Sequence, residues 1–197
     1  MLTSSQQSIK RMFDVVFSFF IVLVLGIPIL LLIVFAGFST KMSGLFCQKR
    51  IGKNGKPFIM YKIRTLKGLN HQSVQEIKNL ETSFGHWLRK TKLDELPQFI
   101  NVLIGDMSIV GPRPDITGYA DKLKGEDKII LSIRPGITGP ATLKYKNEEE
   151  VLLQQENPQY FNDMVIWPDK VKINKEYVAN WSFAKDLKYI YASLASY

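Results

Sequence analysis

The sequence predicts an α+β protein, anchored to a membrane by one proline-broken helix and carrying a small, mostly helical domain with a short β-hairpin. Three observations predict it. Val15 to Phe38 is almost uninterrupted apolar sequence. An Asn54-Gly55 pair separates two alternating segments, a strong hairpin signal. Beyond residue 80, short helical patterns alternate with proline and glycine. The natural division is residues 1–40 as membrane segment and 41–197 as one cytosolic domain with interfacial helices.

The apolar run is long enough to cross a bilayer and too long for the core of a signal peptide. Gly26-Ile27-Pro28 interrupts it near its middle. Proline removes a backbone donor and crowds the preceding turn, and Gly26 eases bending there. Lys10 and Arg11 precede the run, and Lys41, Lys49 and Arg50 follow it. Positive flanks mark the cytoplasmic side, and here both ends carry them. Two arms of about a dozen residues, roughly 18 Å each, are too short to cross a core of about 30 Å. A hairpin dipping into one leaflet and a kinked span both satisfy these facts. Asp14 sits just inside the first charges.

Gln48 to Thr65 reads as the hairpin, with Ile59, Tyr61 and Ile63 on one face of its second strand and Phe58, Met60, Lys62 and Arg64 on the other. Gly68 to Glu81 is polar, a loop or weak helix. Phe84 to Lys90 predicts a short helix with Trp87 and Leu88 inward. Leu93 to Leu103 predicts another, its stripe formed by Leu96, Phe99, Ile100 and Leu103. Met107 to Val110 predicts a strand, Ile116 to Leu131 partial helix, and Glu148 to Gln155 an acidic helix. Asn157-Pro158 and Trp167-Pro168 suggest loops. Ser182 can cap a final helix with Phe183, Leu187, Ile190 and Leu194 on one face.

Composition narrows the chemistry. Of 197 residues, 46% are hydrophobic, enough for a core, and 26 Lys+Arg against 18 Asp+Glu leave a net charge of +8. No basic helix or aromatic RNA motif accompanies that charge, so nucleic acid is not the expected partner; phosphate-bearing small molecules or membrane lipids are. The only cysteine, Cys47, excludes an intramolecular disulfide and fits a cytosolic domain. Scattered His71, His86 and Cys47 do not make a zinc site; magnesium held by carboxylates and substrate phosphates stays open.

Asp94-Glu95 is the sharpest candidate site. Pro97 is tolerated in a first helical turn, so the helix is expected to start near Asp94, where free amides favour an ionised carboxylate and attract phosphate. That suits a carboxylate nucleophile attacking phosphorus, with Glu95 binding magnesium. A plain acidic cap is the commoner role for such residues. Arg113 lies between two prolines and Arg134 precedes Pro135-Gly136, so both sit on stiffened backbone suited to bidentate phosphate capture. Gly136 and Gly139 permit close approach of backbone to a ligand. Arg89 could reach the same site. Each arginine, and the Lys62–Arg64 strand face, has a bland alternative as solvated surface.

Read together, these strings resemble the bacterial sugar transferase family, the small monotopic phosphoglycosyl transferases acting on a polyprenol carrier. The resemblance rests on Lys10-Arg11-x-Phe13-Asp14, Gln48-x-Arg50-x-Gly52, and Gly55-Lys56-Pro57-Phe58-x-x-Tyr61-Lys62-x-Arg64-Thr65. It continues through Leu93-Asp94-Glu95-Leu96-Pro97-Gln98, Asn101-Val102-Leu103-x-Gly105-Asp106-Met107-Ser108, Val110-Gly111-Pro112-Arg113-Pro114 and Arg134-Pro135-Gly136-Ile137-Thr138-Gly139. It implies a re-entrant helix broken at Gly26 and Pro28, placed on the cytosolic face of the bacterial inner membrane. It implies a ping-pong reaction with Mg2+. Asp94 attacks the β-phosphorus of a UDP-sugar, releasing UMP, and polyprenol (undecaprenyl) phosphate then takes the phosphosugar. Glu95 would hold the metal, while Lys62, Arg89 and Arg113 would orient phosphates or nucleotide; Arg64, Arg134 and Gly136 join them as substrate- or phosphate-binding candidates from their own positions in the sequence.

The chain departs from the family pattern in two places. The usual Ser-Pro break is Ile27-Pro28 here, and after Gly139 comes Pro140-Ala141-Thr142-Leu143-Lys144-Tyr145 with an acidic insertion. That region is expected to shape the sugar pocket, so the sugar does not follow from the resemblance; capsule, O-antigen, exopolysaccharide and glycoprotein glycans are all compatible. Asn174 stands where some relatives carry an aspartate and is assigned no role. The rival readings are a non-catalytic membrane scaffold for glycan assembly and a nucleotide-sugar hydrolase. The apolar face of the last helix leaves a homodimer open.

Overall fold

The computed structural model describes residues 2–69 and 74–195. The chain begins with α1, Ser4–Thr40, a single 37-residue helix that continues through Gly26 and Pro28. The expected separation into two helices is not seen, although Pro28 leaves one turn without its usual amide bond. Thr3 and Gln6 cap the start of α1 reciprocally. The lipid-length stretch exposes Phe19, Phe20, Leu23, Val24, Leu30, Leu31 and Phe38, while Asp14, Ser18, Ile29, Ala36 and Thr40 are buried along the opposite stripe.

Strand β1, Leu45–Ile51, pairs antiparallel with β2, Pro57–Ile63, from Leu45 opposite Ile63 to Ile51 opposite Pro57. Asn54 (φ 59°) and Gly55 (φ 73°) make the predicted turn, which asparagine and glycine adopt at least cost. Helices α2, Val74–Leu80, and α3, Ser83–Lys90, follow. Residues 70–73, with His71, lie outside the described residues, so the expectation for Gly68 to Glu81 is met only by α2. In α3, Leu88 is fully buried but Trp87 is 44% exposed. Trp87 instead stacks on Phe84, which meets Phe35 of α1 edge-on.

A 3-10 turn at Leu93–Glu95 leads into α4, Gln98–Ile104. The helix proper therefore starts one turn later than predicted, with Pro97 at its N-cap. Its buried positions are Gln98, Asn101 and Val102, not the predicted apolar stripe, because Asn101 takes up hairpin backbone: its side chain accepts from Tyr61 N and donates to Ile59 O. Strand β3, Ser108–Val110, pairs in parallel with β4, Gly136–Thr138. The segment between them forms 3-10 turns at Ala120–Lys122 and Gly125–Ser132.

The remainder is helical: α5, Pro140–Lys144; α6, Glu148–Leu153; α7, Pro158–Phe161; α8, Trp167–Ala179; and α9, Phe183–Ala195. Pro158 starts a helix instead of marking a loop, because a first-turn N–H has no helical acceptor to lose, and Pro168 lies just after a π-helical turn, Asn162–Ile166, that runs directly into α8. Ser182 caps α9 as predicted. The buried side of α9 centres on Asp186, while Leu187 and Leu194 are exposed. Asp186 accepts from Lys10, Tyr177 and Trp181, which ties α9 to α8 and to the start of α1.

The main core joins Met60, Val102, Met107, Ile109, Val110, Ile133, Tyr177 and Val178, with Leu2 from the N-terminus. Burying a side chain of this size stabilises by roughly 1.5–3 kcal/mol. A smaller cluster joins Ala36 of α1 to Ile63 and Leu88. Together they fix α1, the hairpin and α3–α4 relative to one another.

Candidate active site

A cavity of about 180 Å³ opens where the hairpin, α3 and the turn before α4 meet. Lys62, Arg64, Arg89, Asp94, Glu95 and Arg113, all singled out in the sequence, line it together with Phe46, Gln48, Lys92 and Glu149. β2 delivers Lys62, the 3-10 turn delivers Asp94 and Glu95, and the loop after β3 delivers Arg113.

Glu95 is the electrostatic centre. Its Oε1 accepts from Lys62 Nζ at 3.0 Å and from Arg113 at 2.5 Å, and its Oε2 takes a longer contact from Arg113 at 3.3 Å. Burial pushes its carboxyl upward, but the Arg113 guanidinium and the Lys62 amine outweigh that and hold it well below the usual range. Burial lowers Lys62, with Glu95 opposing. Glu95 in turn raises Arg113.

Asp94 is placed differently. It is buried and its Oδ1 has no hydrogen-bond partner among the described residues. Burial pushes the carboxyl up to about 6, with Lys62 acting against the shift and the adjacent Glu95 adding to it. The expectation that helix-start amides hold Asp94 ionised therefore gives way to a desolvated carboxylate, still ionised at neutral pH. Such an oxygen lacks the hydration that blunts a nucleophile. Lys92, two residues earlier, adopts a left-handed conformation (φ 56°), which is costly for a side-chain-bearing residue and keeps its amine at the cavity wall.

Arg89 pairs with Glu81 at 3.4 Å and with Glu149 of α6, so it enters the site already partnered. Arg64 lies at the rim, donating to Ser43 O at 2.7 Å and covering the Phe46 ring. Arg134 and Gly136, also singled out in the sequence, do not line the cavity. Arg134 Nε donates to Gly105 O at 2.7 Å at the end of α4. Gly136 packs against Gly111, where an added Cβ would lie 2.1 Å from the Gly111 nitrogen. Its closeness is to backbone, not ligand. Gly26 and Pro28 are remote from the cavity, in the lipid-length part of α1.

Gln48, Lys92 and Glu149 escaped sequence reasoning. Gln48 falls within the Gln48-x-Arg50-x-Gly52 string, a usable signal, whereas Lys92 and Glu149 carry none. A wider, shallower depression of about 400 Å³ is lined by Tyr119, Lys122, Asp163 and Trp167. Asp163 is already engaged by Tyr119, Gln159 and Asn162, so it lacks a free reactive group, and the smaller cavity carries the chemistry.

Comparison with known proteins assigns the chain to a family. The bacterial sugar transferase family model matches residues 5–197. The chain is 33% identical over 184 residues to an uncharacterized sugar transferase, EpsL, of Bacillus subtilis (strain 168), covering 91% of this chain and 82% of that one. It is 33% identical to the UDP-glucose:undecaprenyl-phosphate glucose-1-phosphate transferase of Escherichia coli (strain K12), covering 98% of this chain but 41% of that longer protein. It is 29% identical to the exopolysaccharide production protein ExoY of Sinorhizobium fredii (strain NBRC 101917 / NGR234), covering 94% and 83%. This chain belongs to the bacterial sugar transferase family.

Proposed function

We propose that this protein moves a sugar-1-phosphate from a UDP-sugar to undecaprenyl phosphate, through a covalent intermediate on Asp94. The carrying observation is the division of labour within the dyad: Asp94 is desolvated with one oxygen unpartnered, while Glu95 is clamped by Lys62 and Arg113. The relatives' names supply the reaction class, since two are named UDP-glucose:undecaprenyl-phosphate glucose-1-phosphate transferases.

In the first half-reaction an Asp94 carboxylate oxygen attacks the β-phosphorus. The O–P bond to the UMP phosphate breaks, UMP leaves, and the sugar phosphate stays on Asp94. In the second, a phosphate oxygen of the polyprenol carrier attacks the same phosphorus and releases the carboxylate. Lys62 and Arg113 are placed to neutralise the charge that gathers on the phosphates. At neutral pH Asp94 needs no general base, because its carboxyl is already ionised.

Magnesium fits the donors present. Asp94 Oδ1 is unpartnered and Glu95 Oε2 is held only at 3.3 Å. With only these two carboxylates to offer, the protein would leave most of the ion's ligands to substrate phosphates. Glu95 would hold it, and the ion would supply charge neutralisation at the diphosphate.

The membrane arrangement belongs to the same proposal. Near its start, α1 offers Arg11 to the Val102 and Leu103 carbonyls at 2.6 and 3.0 Å. Near its end, Ser39 bonds Thr82 at 2.9 Å. Both ends thus hold the same domain. A helix crossing a core of about 30 Å carries its ends on opposite sides. A re-entrant α1, bent at Pro28 and entering from the cytosolic face of the inner membrane, satisfies both contacts.

The test is UMP release from a panel of UDP-sugars with magnesium, with and without undecaprenyl phosphate, in nanodiscs. Lipid-dependent release supports the transferase; lipid-independent release makes the protein a hydrolase, and no release with any sugar favours a scaffold. For topology, external labelling of Ser5→Cys and Lys41→Cys in a Cys47→Ser background should leave both protected. One labelled and one protected end would establish a span.

A further inference from the structure

We infer that Gln48 is a substrate-binding residue, its amide N–H turned into the cavity by Arg50 to donate to an oxygen of the donor's diphosphate. The inference rests on the transferase reading and adds a residue to its site.

Strand register sets the position. Gln48 pairs with Met60, and Phe46 pairs with Lys62. Residues paired across antiparallel strands share a face, so Gln48 stands diagonally beside Lys62, whose amine holds Glu95. Both line the cavity; Arg50 does not.

The Arg50 contacts set the orientation. Arg50 donates from Nε at 3.1 Å and from a terminal nitrogen at 2.7 Å to Gln48 Oε1, and from its other terminal nitrogen at 3.3 Å to Pro114 O. Guanidinium has no acceptor, so it can grip only the oxygen of an amide. The usual ambiguity between amide oxygen and nitrogen is thereby removed. With Oε1 held behind, Nε2 faces the other way, and no acceptor among the described residues takes its hydrogens.

The surrounding charge selects the ligand. The hydrogen bonds of Arg50 go only to neutral oxygens. Lys62 and Lys92 complete a cationic wall facing Asp94 and Glu95. An amide donor in that wall suits a phosphate oxygen, and Arg50 is its positioning residue.

The test compares the full-length wild type with Gln48→Glu in nanodiscs. A glutamate keeps an oxygen pair for Arg50, so melting temperature should hold or rise, yet it turns an anion toward the diphosphate. The KM for the UDP-sugar should rise at least tenfold, with kcat within about threefold, the signature of lost uniform binding. Affinity for UDP, measured by calorimetry without lipid, should fall equally. A KM and UDP affinity within twofold of wild type, or a fall in kcat alone, would overturn the role of Gln48. Arg50→Gln should raise KM in the wild type but add little in Gln48→Ala; additive effects would overturn the positioning role. Wild type that binds UDP through Gln48 but transfers nothing would keep this inference and remove the transferase reading. Wild type that binds no UDP would overturn both.

Discussion

Two segments of this chain look alike as sequence: Gly111-Pro112-Arg113-Pro114 and Arg134-Pro135-Gly136. Each sets an arginine on proline-stiffened backbone beside a glycine. In the folded protein they do opposite work. Arg113 reaches Glu95 in the cavity, while Arg134 lies outside its lining and donates from Nε to the Gly105 carbonyl. The second segment builds the platform for the first: Gly136 N donates to Pro112 O at 2.8 Å and Gly111 N to Thr138 O at 2.9 Å. One loop carries the reactive geometry and the other holds its height. A stiff arginine is thus a candidate anion site only where the fold carries its guanidinium into the cavity.

The comparison can be broken or sharpened by substitution. The largest effect belongs to the dyad beside Arg113. Asp94→Asn should lower turnover more than about 1000-fold, the scale of losing a nucleophile, with the melting temperature unchanged or raised. Full retained activity would end the covalent mechanism. Next, Gly136→Ala should cost roughly 3 kcal/mol or more, because backbone, not a flexible side chain, occupies the space its Cβ needs. Thermal melting in detergent reads this, and a stable variant with selectively raised KM would return Gly136 to the site.

Arg113→Ala should cost roughly 10- to 100-fold in kcat/KM, as expected for a charged hydrogen bond lost next to a buried carboxylate. Unchanged kinetics would remove its role. Arg134→Ala should cost about 1 kcal/mol of stability and leave KM within twofold. A selective KM effect there would collapse the contrast between the two loops.

A pH-dependent effect lies at the end of the first loop. Burial pushes Asp115 up to about 7, with Lys170 and Arg50 opposing. The folded state therefore binds this proton more tightly than the unfolded state, and stability falls as pH rises from about 4 to about 7. Asp115→Asn should raise the melting temperature relative to wild type more at pH 8 than at pH 5. An equal gain at both would refute the shift.

Much of this site was legible in advance because its residues are local. Asp94 and Glu95 are neighbours in the chain, and the Asn54-Gly55 turn fixes a register that puts Lys62 on a known strand face. The apolar length of α1 is likewise a property of consecutive residues. What was misread depends on distant partners. Trp87 stacks outward on Phe84, whose ring is met by Phe35 of the distant α1, and Gln98, Asn101 and Val102 are the buried face of α4 because Asn101 satisfies hairpin backbone.

The sequence by itself determined the family, the hairpin, the long apolar helix and the acidic pair, since spacing and turn chemistry act over a few residues. Only the tertiary structure decided which arginine faces the cavity, that Asp94 is desolvated while Glu95 is clamped, and that both ends of α1 grip one domain. Burial and pairing are set by groups dozens of residues apart. Only the packed chain brings those groups within the few ångströms over which desolvation and hydrogen bonding act.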